Sequence, residues 1–321
     1  MALKVAVLTS GGDAPGMNPC LRACVRLGIY NGFEMYGVHR GYQGLIDDEI
    51  ELMNSRSVSD IIQRGGTFLK TARCEEFTTK EGRAKAYENL SKRGINELIV
   101  IGGDGTFRGA RDFSNEYDIN VTGIPGTIDN DLAYTDYTLG FDTAVNTVLW
   151  AINSLRDTMG SHDRCALLEV MGRHCGDIAL YAGLCGGAEY ILVPEIPYDL
   201  DKIAEQLSAS RKRGKTSNMI VFAEGAGDRE EVCRYLKEKT GITITQTVLG
   251  HIQRGGSPTM ADRMLAARMA QRAIELLKLK TKARVIGVIN NKITDVNISE
   301  ALNMPRRVDA KTYRIAEILG L

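Results

Sequence analysis

Three carboxylates and a hydroxyl lie close together about a third of the way along this 321-residue chain, in two glycine-marked turns that each end an apolar run. The first turn, Gly102-Gly103-Asp104-Gly105, follows Leu98 to Ile101; the second, Pro125-Gly126-Thr127-Ile128-Asp129-Asn130-Asp131, follows Asn120 to Ile124. Glycines let a backbone approach a ligand closely, and a helix beginning after the first turn would aim free N–H groups at an anion. A carboxylate in such a turn repels bare phosphate unless a cation such as Mg²⁺ lies between them, so Asp104 points to metal-bound polyphosphate. In the second turn the spacing of Thr127, Asp129 and Asp131 suits a general base and its orienting partner. Either turn alone also fits a plain strand-to-helix connection, but a pair carrying three acids points to chemistry.

Phosphoryl transfer asks a protein for a metal, cations around the moving group and a carboxylate to take the acceptor's proton. Asp104 fits the metal, Arg73 and Arg173 the phosphoryl charge, and Asp129 the base. Arg164, His251 and Arg254 remain for a second anion. Gly65-Gly66-Thr67, with Lys70 and Arg73, forms a basic loop able to close over phosphates. His174 beside Cys175 lacks metal-ligand spacing and reads as a loop or core histidine. Gly214-Lys215-Thr216 invites a P-loop reading, but Ala209 stands where that pattern needs Gly. Gly103, Gly105 and Gly109 miss the dinucleotide spacing by one residue.

The elements that must hold these residues alternate. Short β-branched runs at Lys4–Leu8, Phe33–Val38, Leu98–Ile101, Asn120–Ile124, Arg164–Val170, Ile191–Val193, Met219–Ala223 and Arg284–Ile289 read as strands. Helical patterns fall at 81–93, 141–155 and 262–278. A further helix should follow Thr9 to Met17, with Asn18 as N-cap, Pro19 as first residue, Leu21, Cys24, Val25 and Gly28 inward, and Arg22 and Arg26 on the other face. Gly41 to Gly44 reads as a loop and Thr247 to Ser257 as another turn. Strands alternating with helices predict an α/β protein with mostly parallel, doubly wound sheets. The length predicts two lobes or one large one.

Forty basic and forty acidic residues cancel, with no long run of like charge, which argues against a nucleic-acid or membrane-surface role. Seven scattered cysteines without C-x-x-C indicate neither a disulfide framework nor a zinc site. With no signal-like leader and no long apolar stretch, a cytoplasmic location is expected.

TSGGDAPGMN, RGGT with TAR, IGGDGT, PGTIDND, EVMGR, CGD and LGHIQRGGSP occur in one order along nearly the whole chain, and this set resembles the bacterial ATP-dependent 6-phosphofructokinases. The resemblance implies two similar lobes with the chain crossing between them, 1–140 plus 257–304 binding ATP and 141–256 plus 305–321 binding the sugar phosphate, and a homotetramer. It implies that Gly12, Arg73, Cys74, Gly103, Asp104, Gly105 and Thr106 hold ATP, with Asp104 on Mg²⁺. It places Thr127, Ile128, Asp129, Asp131, Met171, Gly172, Arg173 and Glu224 at the reacting sugar, with Asp129 as base. His251, Arg254 and a neighbouring subunit's Arg164 would bind the 6-phosphate of fructose 6-phosphate. Arg22, Arg26, Arg156, Gly187, Glu189, Arg213 and Lys215 would meet a nucleotide diphosphate effector, Glu189 through its metal. Two positions depart from the family pattern: Thr245 and Ser55 stand where arginines are expected, with Arg56 one place late. Pyrophosphate-dependent relatives tend to carry an acid at the position of Gly105 and Lys at that of Gly126, and both are Gly here. Lipid and NAD kinases share the GGDGT turn but not PGTIDND or HIQRGG.

Overall fold

The computed structural model describes residues 2–162, 164–306 and 308–320. Along the chain, β1 (Lys4–Thr9) leads to α1 (Met17–Tyr30), β2 (Glu34–Val38), α2 (Tyr42–Ile46), β3 (Ile50–Met53), α3 (Lys80–Ser91), β4 (Glu97–Gly102), α4 (Asp104–Glu116) and β5 (Asn120–Pro125). Then come α5 (Phe141–His162), β6 (Cys165–Val170), α6 (Asp177–Cys185), β7 (Tyr190–Leu192), α7 (Leu200–Lys212), β8 (Asn218–Ala223), α8 (Arg229–Thr240) and β9 (Ile244–Val248). The last elements are α9 (Met260–Lys278), β10 (Arg284–Ile289), β11 (Lys292–Asn297), α10 (Ile298–Asn303) and α11 (Ala310–Leu319).

Two compact units result. The first comprises Met1–Ile128, Leu132–Thr143 and Arg254–Arg306, and the second Asp129–Asp131, Ala144–Gln253 and Arg307–Leu321. In the first unit a seven-stranded sheet runs β11-β10-β5-β4-β1-β2-β3. Its five inner strands are parallel, and β3 and β11 close the two edges antiparallel. Strands β4 and β5 are buried along their whole length, as layers covering both faces of a parallel sheet require. Phe107 and Phe113 of α4 pack in that core with Phe77, on which Tyr42 stacks at 4.0 Å. The second unit holds the all-parallel sheet β7-β8-β6-β9, with Leu167, Ile220 and Phe222 packed against Leu207 of α7 and Leu236 of α8.

Some expectations shift. The helix after β1 starts at Met17 because Gly16, at φ 122, takes the cap position, so Asn18 is not an N-cap. Asn18 is buried in the first turn and spends its amide on the Arg64 and Gly65 carbonyls and the Phe68 N–H. Gly41–Gly44 is not a loop: α2 starts at Tyr42, which is pinned by its hydroxyl donating to the Thr106 carbonyl at 2.6 Å. Thr247 and Val248 end strand β9, and Gly250–Arg254 is a 3₁₀ turn. The sequence reading passed over β3, β9 and β11, all of them edge strands with many half-exposed positions. β11 pairs with β10 through a two-residue turn whose Asn290 and Asn291 have φ 51 and 59, the left-handed pair a tight hairpin needs. No described helix is long and apolar enough to cross a membrane.

Candidate active site

In the first unit the carboxyl ends of β1, β4 and β5 bring three glycine-rich turns together. The Ser10 N–H donates to the Ile101 carbonyl at 3.0 Å, and the Gly126 N–H to the Gly102 carbonyl at 2.9 Å. A side chain at Gly102 would run into the Ser10 carbonyl and Thr106, so close approach explains that glycine. Thr106 is buried, and the first turn of α4 opens beside Gly103 and Thr127, with Thr127 Cβ 3.7 Å from the place a Cβ on Gly103 would take. The Thr138 hydroxyl donates to the Thr127 carbonyl at 2.6 Å and braces the second turn.

The basic loop meets the same edge. Thr9 and Thr67 share a hydroxyl–hydroxyl bond of 2.7 Å, and the Thr71 hydroxyl donates to the Gly11 carbonyl at 2.6 Å. Arg73 is exposed beside half-buried Cys74, without an ion pair to any described residue. Arg254 also reaches this edge: its Nη1 donates to the Asp13 carbonyl at 3.3 Å, and its guanidinium fills the space a side chain on Gly12 would need.

Asp104 lies in the first turn of α4, not before it. Its carboxylate pairs with Arg108 four residues on, at 2.6 Å to Nε and 3.3 Å to Nη2, and this pairing raises the Arg108 pKa. Both side chains are largely exposed, so the pair contributes only about 0.3–0.5 kcal/mol. Nothing lies within 4 Å of where a Cβ on Gly105 would stand. Among the described residues no group of three or more His, Cys, Asp or Glu could cage a metal. A single exposed carboxylate in the first turn of a helix, with free space beside the neighbouring Gly105, is a donor set that would suit Mg²⁺ if the carboxylate left Arg108, because Mg²⁺ keeps waters and takes its other ligands from phosphates.

The second unit holds the other acidic turn. Asp129 and Asp131 are half-buried around a buried Asn130 at φ 53. After β6, the Met171 N–H donates to Gln253 Oε1 at 3.2 Å, and the Gln253 amide donates to the Gly250 carbonyl at 3.0 Å. The Gly225 N–H donates to the Gly172 carbonyl at 3.2 Å. Met171, Gly172, Arg173, Glu224 and His251 are thereby drawn to the carboxyl ends of β6, β8 and β9, with Arg173, Glu224 and His251 exposed. Gln253, fully buried, is the residue that ties two of these turns, and a glutamine inside a glycine-rich run was its only signal. Exposed Arg164 immediately precedes β6, at the opposite end of that strand.

A cationic cluster forms elsewhere in the second unit. Arg156 donates to the Gly186 carbonyl at 3.0 Å and to that of Gly187, and lies 3.8 Å from Glu189. Lys215 pairs with Glu189 at 3.0 Å, and the other Glu189 oxygen accepts from the Met219 N–H at 2.6 Å. Arg213 and Glu189 also line a cavity of about 270 Å³ between β7, α7 and α11. Of the remaining effector candidates, Arg26 of the first unit donates to the Ser55 carbonyl at 3.2 Å, on the helix that also carries half-buried Arg22.

The family model described as Phosphofructokinase matches residues 4–277. The chain belongs to that family. A relative from Clostridium botulinum named ATP-dependent 6-phosphofructokinase is 57% identical over 316 residues, covering 98% of this chain and 99% of the relative. A Clostridium tetani protein of the same name is 57% identical over 317 residues, covering 99% of each. The solved phosphofructokinase of Saccharomyces cerevisiae matches with TM-score 0.90 at 34% identity over 99% of this chain and 48% of that one, so this chain spans about half of the yeast polypeptide. A pyrophosphate-dependent phosphofructokinase from Marinobacter aquaeolei has TM-score 0.85 at 21% identity, covering 99% of this chain and 91% of that one, which is a likeness of fold. The doubly wound α/β architecture expected of the phosphofructokinases is the one found.

Proposed function

We propose that this phosphofructokinase is ATP-dependent, passing the γ-phosphate of ATP to the 1-hydroxyl of fructose 6-phosphate and giving fructose 1,6-bisphosphate and ADP in glycolysis. Identity of 57% across almost the whole chain to relatives named for that activity carries the reading. The two glycines that separate it from pyrophosphate use support it. Gly105 opens onto free space where an ATP α-phosphate can lie. A Cβ at Gly126 would stand 2.9 Å from Ile101 Cγ2 and 3.2 Å from Met17 Cε, so the lysine of the pyrophosphate enzymes fits poorly there.

In this reading Gly12, Arg73, Cys74 and Gly103 to Thr106 bind ATP. Asp104 would hold Mg²⁺, which when bound would neutralise charge on the ATP phosphates. Asp129 takes the proton of the 1-hydroxyl as that oxygen bonds to the γ-phosphorus and the bond to the β–γ bridging oxygen breaks, leaving ADP. Thr127, Ile128, Asp131, Met171, Gly172, Arg173 and Glu224 orient the sugar, and Arg73 and Arg173 offset charge on the moving phosphoryl group. His251 and Arg254, with Arg164 from a neighbouring subunit of a homotetramer, hold the 6-phosphate. Arg156, Gly187, Glu189, Arg213 and Lys215, with Arg22 and Arg26, take a nucleotide diphosphate that regulates a cytoplasmic enzyme.

A coupled assay with fructose 6-phosphate tests the donor: turnover with Mg-ATP is expected, and faster turnover with pyrophosphate would sink the reading.

A further inference from the structure

Asp177 has no part in the proposed reaction, yet it is a carboxylate only 7% exposed in the first turn of α6. Its Oδ2 accepts a hydrogen bond from Asn130 Nδ2 at 2.9 Å, and Asn130 is itself only 6% exposed. Just before the helix, Cys175, 1% exposed, donates its S–H to the backbone carbonyl of Asp129 at 2.8 Å. The Gly176 N–H between them donates to both Glu195 oxygens, at 2.9 and 3.1 Å, which fixes the turn from which Cys175 and Asp177 project.

Each part of this arrangement carries a cost. A buried carboxylate is unfavourable unless its oxygens are satisfied, and a helix N-terminus only lessens the penalty. A residue other than glycine at φ 53 is strained, and asparagine is among the few that tolerate it. Packing alone would be served as well by an apolar residue at 177 and glycine at 130. What the amide–carboxylate bond adds is orientation, because Asn130 lies between Asp129 and Asp131, and fixing its side chain and backbone fixes where both flanking carboxylates start. The thiol fixes the same segment at the preceding carbonyl. Strain held in place by a buried network beside reacting groups is how preorganisation is built.

We propose that Asp177, acting through Asn130, and Cys175, acting through the Asp129 carbonyl, are positioning residues that hold Asp129 at the angle proton removal needs. This rests on the reading of Asp129 as the base.

The test compares kcat for Asp177→Ala, Asp177→Asn, Asp129→Ser and the double variant Asp129→Ser with Asp177→Ala. Misplacing a reacting group by about 1 Å costs on the order of a hundredfold, so Asp177→Ala should lower kcat about ten- to a hundredfold. Its KM for ATP should stay within about twofold. Asp177→Asn, which keeps an accepting oxygen, should recover most of the rate. In the Asp129→Ser background, Asp177→Ala should cost less than about twofold more, because its effect passes through a group already removed. An additive loss, or an Asp177→Ala enzyme within about twofold of wild type, overturns the positioning role and leaves the base in place. An Asp129→Ser enzyme within about tenfold of wild type instead overturns the base reading. Should Asp177→Ala fail to fold, Asn130→Gly keeps the positive φ, removes the amide and carries the same expectation. Cys175→Ser, which still donates, should outpace Cys175→Ala severalfold, and equal rates would remove the thiol from the proposal.

Discussion

The turn after β4 and the turn after β5 each present an acid at the carboxyl end of a buried strand, and they are secured in opposite ways. Asp104 sits in the first turn of its own helix, and its partner, Arg108, is one turn further along the same helix. Asp129 and Asp131 follow no helix of their own, and the groups that bind their segment come from 46 and 47 residues downstream. The first arrangement is local and exposed, so its carboxylate can leave Arg108 for another cation at little cost. The second is buried and non-local, which suits the base role proposed for Asp129, since a base must not move while a proton passes. On the proposed roles, the metal ligand is the adjustable carboxylate and the general base the fixed one.

The widest separation between the two turns should appear at Asp129. General-base help is worth about 10²- to 10⁴-fold, so Asp129→Ser should lower kcat at least about a hundredfold with little change in ATP binding. A rate within about tenfold of wild type in single-turnover measurements would erase the contrast.

Asp262 extends the non-local pattern and adds a pH dependence. Its carboxylate accepts from the Gly140 and Thr143 N–H groups at 2.8 and 2.9 Å and from the Thr143 hydroxyl at 2.5 Å, and burial pushes its pKa up to about 6. The unfolded value is about 3.9, so the native form retains a proton that the unfolded chain has lost between those limits. The stability from this group is therefore full below about pH 4 and lost as pH rises through about 6. Between roughly pH 4.5 and 7, denaturant titration should show wild type losing on the order of 1–3 kcal/mol more than Asp262→Asn. Parallel curves would mean that the three donors hold Asp262 ionised throughout.

Thr245 tests the sugar-phosphate side. It is exposed on β9, paired in register with Ala166, two residues after Arg164, and offers a neutral hydroxyl where relatives are expected to carry arginine. A charge-assisted bond to phosphate contributes roughly 1.5–3 kcal/mol. Thr245→Arg should accordingly lower the half-saturating fructose 6-phosphate at least about fivefold with kcat nearly unchanged. An unmoved saturation curve would show another cation already serving that phosphate.

The smallest effect belongs to the adjustable turn. An exposed pair one helical turn apart is worth about 0.3–0.5 kcal/mol, so Arg108→Ala should reduce the half-saturating Mg²⁺ roughly twofold at fixed ATP. An increase would mean that Arg108 helps hold the nucleotide and does not compete for Asp104.

The same local and non-local divide decides what could be read in the sequence. Strand ends, glycine turns and the acids in them are set by neighbours in the chain, and Asp104 and the buried strands β1, β4, β5 and β8 fall within a residue or two of where spacing puts them. Asn18 shows the failure of a local rule: an asparagine before proline is a good cap, but the 64–68 loop needed its amide more. Asp177 and Cys175 were visible only as part of a CGD motif, since nothing near them in sequence says that they face Asp129. The edge strands were missed because half-exposed runs such as Ile50–Met53 lack a clean apolar pattern. The full set of site residues came from ordered motifs along the chain, because spacing reveals chemistry near a turn and not which distant turns converge.

One contact in the first unit bears on how this enzyme can diverge. The Arg254 guanidinium occupies the volume beside Gly12, so a methyl group at position 12 would have to evict it. Gly12 is proposed for the donor and Arg254 for the acceptor, so a side chain at position 12 would act on both proposed sites at once by pushing the end of Arg254 aside. A change in the proposed nucleotide loop at this point would therefore also be felt where the sugar phosphate is proposed to bind, so that donor and acceptor selectivity share one mutable position.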